Sequence, residues 1–149
     1  MQLPPALRYA IEAILDTADR RELARAAAEL SDRYRTRPPR RESFIRSDFD
    51  RRAYLAVRLP ATFAAASAAL APLTHALSDA QIRTLLDLGA GSGSATWAAQ
   101  ATFAKLETCT LFERDPELIA LGKELAEGAD NTLLKEANWH AADLGATQP

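Results

Sequence analysis

The feature that most constrains this chain is a short apolar run that ends in glycines. Ile82-Arg83-Thr84-Leu85-Leu86-Asp87-Leu88 leads directly into Gly89-Ala90-Gly91-Ser92-Gly93. An apolar run of this length feeding a turn reads as a buried parallel strand. A glycine-rich turn between a strand and a helix permits backbone angles that a Cβ would forbid. It also lets a ligand approach the main chain and aims free N–H groups of the helix start at that ligand. A helix is expected from about Ser94 to Phe103. Thr108-Cys109-Thr110-Leu111-Phe112-Glu113, rich in β-branched and aromatic residues, is expected as a second strand. Pro116 opens another helix carrying Leu118, Ile119, Leu121 and Leu125, with Gly128 as its stop. A weaker strand is expected between Glu136 and Ala142. The order β-α-β-α-β predicts an α/β fold with a parallel sheet.

The text before this unit is helical. Pro4-Pro5 opens a helix with Leu7, Ile11, Ile14 and Leu15 at helical spacing. Asp16-Thr17 offers a cap for a second helix, whose apolar face carries Leu23, Ala27, Leu30 and Tyr34. Pro38-Pro39 is expected to break it, within an arginine-rich loop. Ser47 or Asp48 caps a third helix, and Pro60 is expected to interrupt it. An alanine-rich helix then runs from about Ala61 to Leu77 with Phe63, Leu70, Leu73 and Leu77 on its apolar face. Pro72 should kink or end that helix. The chain thus divides into a helical region, residues 1–77, and a partial Rossmann-like unit, residues 78–149.

Three acids fall where a ligand of the glycine loop would meet them. Asp87 stands two positions before the first glycine. A carboxylate there repels a pyrophosphate, and it suits the cationic methionine moiety of S-adenosylmethionine, directly or through water. The spacing Gly-x-Gly-x-Gly also departs from the Gly-x-Gly-x-x-Gly of dinucleotide sites, which argues against a nicotinamide ligand. Glu113 ends the second strand close to the ~20-residue spacing of a ribose-binding acid. Its carboxylate can accept from both ribose hydroxyls, and Asp115 is the alternative. Asp143, after the third strand, can accept from an adenine amino group, with Leu144 packing on the ring. All sit at carboxyl ends of parallel strands, where open α/β sheets bind ligands. Each acid also has a plainer reading as an ordinary surface group at a strand end.

Composition adds bounds. With 18 Lys+Arg against 20 Asp+Glu, bulk charge gives no argument for nucleic acid or membrane. The distribution is uneven: Arg33, Arg35, Arg37, Arg40, Arg41, Arg46, Arg51 and Arg52 crowd one stretch, diluted by Asp32, Glu42, Asp48 and Asp50. The one cysteine, Cys109, excludes an internal disulfide, and no Cys/His spacing suits a metal. No apolar run approaches the ~20 residues of a membrane span, and neither a secretory nor a transit pattern opens the chain. These points predict a cytoplasmic protein. His75, His140 and Trp97 read as ordinary surface or core residues, and Trp139 as core. Tyr54, Arg58 and Phe63 are within conceivable reach of the cofactor loop, but ordinary helix packing is the simpler expectation.

The loop Asp87-Leu88-Gly89-Ala90-Gly91-Ser92-Gly93 followed by Leu111-Phe112-Glu113-Arg114-Asp115-Pro116 resembles class I methyltransferases. Three upstream segments narrow the resemblance: Leu3-Pro4-Pro5-Ala6-Leu7, Leu30-Ser31-Asp32-Arg33-Tyr34-Arg35, and Ala53-Tyr54-Leu55-Ala56-Val57-Arg58-Leu59-Pro60-Ala61-Thr62-Phe63. They resemble bacterial members of the mitochondrial small-ribosomal-subunit methyltransferase-like family (Rsm-twenty-two type). The glycine loop is generic to methyltransferases, and the segment from Tyr54 to Phe63 is the more specific piece. The resemblance implies S-adenosylmethionine as ligand, held by Asp87, Gly89, Ala90, Gly91, Gly93, Glu113, Arg114, Asp143 and Leu144. It implies work on small-subunit rRNA or in small-subunit assembly. It also implies a longer protein with further strands and an iron–sulfur cysteine set, which the single Cys109 cannot supply. A sheet that stops after its third strand is expected to expose an edge and apolar surface.

Two roles follow. One is methyl transfer to rRNA, for which no catalytic residue is nameable, because the acceptor side would lie in the missing part. The other is a non-catalytic assembly factor with a structural or sensory cofactor site. In either role Arg33, Arg35, Arg37, Arg40 and Arg41 are candidates for rRNA phosphate contact. The plainer reading pairs those arginines with the neighbouring acids.

Overall fold

A computed structural model describes residues 2–16, 19–36, 43, 45–77 and 81–145. Arg37, Arg40 and Arg41, candidates for RNA contact, lie outside the described residues, as do Pro38-Pro39. Four helical segments come first: α1 (Pro5–Leu15), α2 (Arg20–Thr36), α3 (Asp48–Ala53) and α4 (Leu59–Ala76). The sheet unit follows as β1 (Thr84–Leu88), α5 (Ser94–Thr102), β2 (Thr108–Glu113), α6 (Pro116–Glu127), α7 (Thr132–Lys135) and β3 (Asn138–Ala141). The strands are parallel in the order β1-β2-β3, with Leu88 beside Phe112 and Phe112 beside His140. The expected α/β architecture, a helical region followed by a parallel Rossmann-like sheet, here of three strands, is therefore present.

Local chemistry accounts for the helix starts. Pro5 occupies the first turn of α1, where a missing N–H costs nothing. Asp19 caps α2: its Oδ1 accepts from Arg21 N (2.7 Å) and Glu22 N (3.1 Å); Thr17, one of the two expected cap residues, lies outside the described residues. Asp16 instead ends α1. Ser47 caps α3, accepting from Asp50 N at 3.2 Å.

Pro60 does not interrupt the chain's course. Between α3 and α4, Tyr54–Arg58 forms a π-turn, with Leu59 N donating to Tyr54 O five residues back. The wider turn eases the crowding of a proline ring against the preceding carbonyls, so the helix passes through Pro60. Pro72 also fails to end α4, which continues to Ala76. Its exposed position lets water take the carbonyl it leaves unpaired. The fused run Asp48–Ala76 is, by length and composition, apolar enough to cross a membrane, which corrects the expectation drawn from the sequence. One stripe of it is packed: Leu55, Leu59, Phe63 and Ser67 are fully buried, and α4 lies against α5, whereas most of the rest of α4 is open. Leu73 and Leu77, expected on that buried face, are exposed.

One hydrophobic cluster joins the helical region to the sheet unit, with Leu7, Leu55 and Phe63 packed with Trp97, Leu121 and Leu125. A second, around Leu106, Cys109, Leu111 and Leu133, fills the space beneath the sheet, and Trp139 packs against it. The strands bury one face only. Cys109, Leu111 and Glu113 point inward, whereas Leu86 and Leu88 on the opposite face are each 59% exposed. Phe112 shares that open face and stacks on His140 with ring centroids 4.7 Å apart.

Candidate functional site

The glycine loop folds over the end of β2. Gly89 N and Ala90 N both donate to Phe112 O, at 2.8 and 3.0 Å. Gly89, Gly91 and Gly93 all have positive φ. At Gly91 the requirement is double: φ is +59°, and an added Cβ would stand 3.2 Å from the Tyr54 hydroxyl. Gly93, at φ +82°, starts α5.

Glu113 locks this loop. It is almost fully buried. Its Oε2 accepts from Gly91 N, and its Oε1 accepts from Arg114 N and Asp115 N, each at 2.8 Å. A carboxylate has about four acceptor sites, so three backbone donors leave one for a ligand hydroxyl. Asp115, the sequence alternative, is committed elsewhere: it caps α6 by accepting from Glu117 N (3.0 Å) and takes a hydrogen bond from Ser43 Oγ (2.6 Å). Asp143 forms an exposed turn, accepting from Gly145 N at 2.9 Å.

These groups surround a cleft of about 370 Å³, within the range of small-molecule sites. Of the residues expected from the sequence, Gly89, Ala90, Gly91, Glu113, Arg114, Asp143 and Leu144 line it, and so does the alternative acid Asp115. Asp87 and Gly93 do not. Gly93 packs on Leu111 and Trp139. The Asp87 carboxylate turns to α5 and accepts from Thr96 Oγ1 at 2.8 Å. Burial lifts the Asp87 carboxyl above the ordinary carboxylate range; the Thr96 hydrogen bonds oppose this and the Glu113 charge adds to it.

Sequence reasoning underrated four lining residues. Tyr54 and Arg58 from the π-turn, Thr62 from α4 and Ser94 from α5 all face the cleft. Ser92 Oγ donates to the Tyr54 hydroxyl at 3.2 Å, tying the π-turn to the glycine loop. Phe63, proposed alongside Tyr54 and Arg58, is core. The signal was spacing: residues 54, 58 and 62 form one stripe, and the adjacent stripe 55, 59 and 63 is buried. Ser94 is 1% exposed, and its hydroxyl has no hydrogen-bond partner among the described residues. A buried hydroxyl without a partner costs about 1–3 kcal/mol, and a ligand in the cleft would relieve that cost. Among the described residues, no group of three or more His, Cys, Asp or Glu could hold a metal.

The arginine cluster divides. Arg33 binds Asp50 through both guanidinium nitrogens and is largely buried, so it is structural and not a free phosphate contact. Asp50 also accepts from Arg46 N at 2.9 Å. Burial alone would raise the Asp50 carboxyl, but the Arg33 and Arg46 hydrogen bonds and charges outweigh it and hold it below its ordinary value. Arg35 pairs with Asp32 on the surface at 3.2 Å. Arg51 bridges to Glu124 of α6.

Parallel strands, a positive-φ glycine loop and an acid at the end of β2 together define a Rossmann-like α/β unit. A family model described as mitochondrial small ribosomal subunit Rsm22 matches residues 48–148, more than half of the chain. The chain belongs to that family. It is also similar to the human ribosome assembly protein METTL17, mitochondrial, with 32% identity over 80 residues. That alignment covers 53% of this chain and 18% of the relative, so the chain spans about a fifth of that protein's length.

Proposed function

We propose that the cleft binds S-adenosylmethionine and that the protein acts in assembly of the small ribosomal subunit, with a methyltransferase-like fold. In this reading residues 1–77 are a helical region that roofs the site, and residues 78–149 are the partial cofactor-binding domain. The observation that carries it is Glu113: a buried carboxylate at the end of β2, holding the glycine loop and facing the cleft. Its remaining acceptor site takes a ribose hydroxyl, Asp143 takes the adenine amino group, and Leu144 packs on the ring. The cofactor, when bound, supplies an activated methyl group. The chain's own residues bind and orient it, and none of them is assigned to the acceptor.

Calorimetry with S-adenosylhomocysteine and NAD side by side tests this. Binding of the first and not the second is expected; the reverse would refute the reading. Of the two roles, the assembly role is supported by the likeness to the human relative, a ribosome assembly protein. Methyl transfer to rRNA by the intact protein would favour the enzyme. Contact with rRNA is proposed for Arg35, Arg37, Arg40 and Arg41, without Arg33. Residence in the cytoplasm is part of the proposal; the human relative is named as mitochondrial.

A further inference from the structure

Behind the glycine loop, on the side away from the cleft, one side chain joins the two walls of the site. Trp139 is the only residue of β3 that is not exposed, so it seats this short edge strand on the core. It stands beside Leu111 in the register and lies on the buried face of the sheet. The Cζ2–Cη2 edge of its indole lies over two glycines. It is 3.6 Å from where a Cβ would stand at Gly93, and 2.6 and 2.7 Å from where one would stand at Gly122. Gly122 lies in the middle of α6, in ordinary helical backbone. Glycine there costs about 1 kcal/mol against alanine. The missing Cβ makes room for the indole on one side and for the Ser92 carbonyl, 3.0 Å away, on the other. The cavity left between the loop, α6 and Trp139 is only about 10 Å³. In packing this close, the indole cannot shift without moving its neighbours. Those neighbours lead straight to the cleft. Gly93 is two residues from Gly91, and β3 runs on to Asp143 and Leu144.

We infer that Trp139 is a positioning residue of the site: seated in the notch left by Gly122, its indole sets the distance between the glycine loop and the strand end that carries Asp143 and Leu144. The inference rests on the proposed cofactor reading and adds to it the residue that fixes the span of the cleft. Ala142 N donates to Glu113 O at 3.0 Å and ties the end of β3 to β2. The indole ties β3 to the loop and to α6. A ligand that touches both walls loses affinity when their spacing changes by more than about 0.5 Å. Two substitutions change that spacing in opposite senses. Gly122→Ala drives a methyl group into the indole edge and pushes it away. Trp139→Phe removes that edge and leaves a gap. Combined, the methyl group enters the space that the shorter ring vacates.

Calorimetry with S-adenosylhomocysteine on the intact protein tests this, at a temperature where melting curves show each variant folded. Gly122→Ala and Trp139→Phe should each weaken binding by about tenfold. The double variant should return to within about threefold of wild type, because two residues in contact do not act additively. An indole that serves stability alone would lower the melting temperature and leave the affinity of the folded protein unchanged. Unchanged affinity in both single variants, or losses that add in the double variant, therefore overturns the inference and leaves the cofactor reading standing. A wild type that binds no S-adenosylhomocysteine overturns the cofactor reading and this inference with it. If Gly122→Ala alone does not fold, the double variant against Trp139→Phe carries the test: the added methyl group should restore affinity, and a further loss refutes the positioning role.

Discussion

Replacing Glu113 by Gln is the sharpest probe of the site, because the side chain keeps its size and loses half its acceptors. In the native loop the carboxylate receives three backbone N–H groups, one on Oε2 and two on Oε1. A glutamine has one carbonyl oxygen. Its best placement retains Arg114 N and Asp115 N and turns the amide nitrogen towards Gly91 N, donor against donor. Stranding one N–H costs about 1–3 kcal/mol, and the two surviving bonds lose the extra strength of an ionised acceptor, about 1 kcal/mol between them. The sum is about 3 kcal/mol. For a chain of this size that lowers Tm by about 6–12 °C, read by circular dichroism. Affinity for S-adenosylhomocysteine should fall as well, since the acceptor left for the ribose is weakened. A variant that melts and binds like wild type would refute the argument that Glu113 holds the loop.

Other substitutions separate neighbouring roles. Asp87 has a folded carboxyl pKa above its unfolded value, so its ionised form is penalised, and stability falls as pH rises from the ordinary carboxylate range towards the raised value. Asp87→Asn keeps an acceptor for Thr96 and should raise Tm at pH 7 with little change in ligand affinity; a large loss of affinity would put the carboxylate in contact with the ligand. Asp50 behaves oppositely. Its folded pKa is depressed, so the stability it contributes is complete above the ordinary carboxylate range and is lost as pH falls through the depressed value. Arg33→Ala should therefore cost about 2 kcal/mol or more and flatten the acid limb of the stability curve, whereas Arg35→Ala should leave melting unchanged. Equal effects would undo the distinction between the buried and the surface arginine. Burial, and then the nearby Asp87 charge, pushes the Cys109 thiol up to about 11. A thiol reagent at pH 8 should leave the native protein unlabelled and modify it on unfolding; fast native labelling would contradict the packing.

The sheet unit was readable because its instructions are local. An apolar run, three glycines and a second β-branched run specify strand, turn and strand without help from the rest of the chain, and Glu113 follows from the same spacing. The helical region was harder for a definite reason. Proline reads as a break, and Pro60 would be one in an α-helix. The π-turn just before it changes the backbone geometry, and no single residue announces a π-turn. With the helix cut at Pro60, Tyr54 and Thr62 fall on separate elements and their common stripe disappears. Asp87 shows the opposite error. Its place beside the loop was right, but the direction of its side chain depends on Thr96, in the first turn of the next helix.

The fused helix leads to a further prediction. A π-turn amounts to one extra residue within an α-helix, so removing Ala56 should restore a regular helix at that point. One residue corresponds to about 100° of helix rotation. With α4 held by Phe63 and Ser67 in the core, that rotation is imposed on α3 and on Tyr54. Either Tyr54 leaves Ser92 or Leu55 leaves the core, and the Arg51 bridge to Glu124 shifts with them. The regular helix would also press the Pro60 ring on a preceding carbonyl, so Pro60→Ala belongs in the same variant to remove that separate cost. If this double change folds, its affinity for S-adenosylhomocysteine should fall, because Tyr54, Arg58 and Thr62 no longer line the cleft together. Unchanged affinity would mean that the π-turn accommodates Pro60 and does nothing for the site.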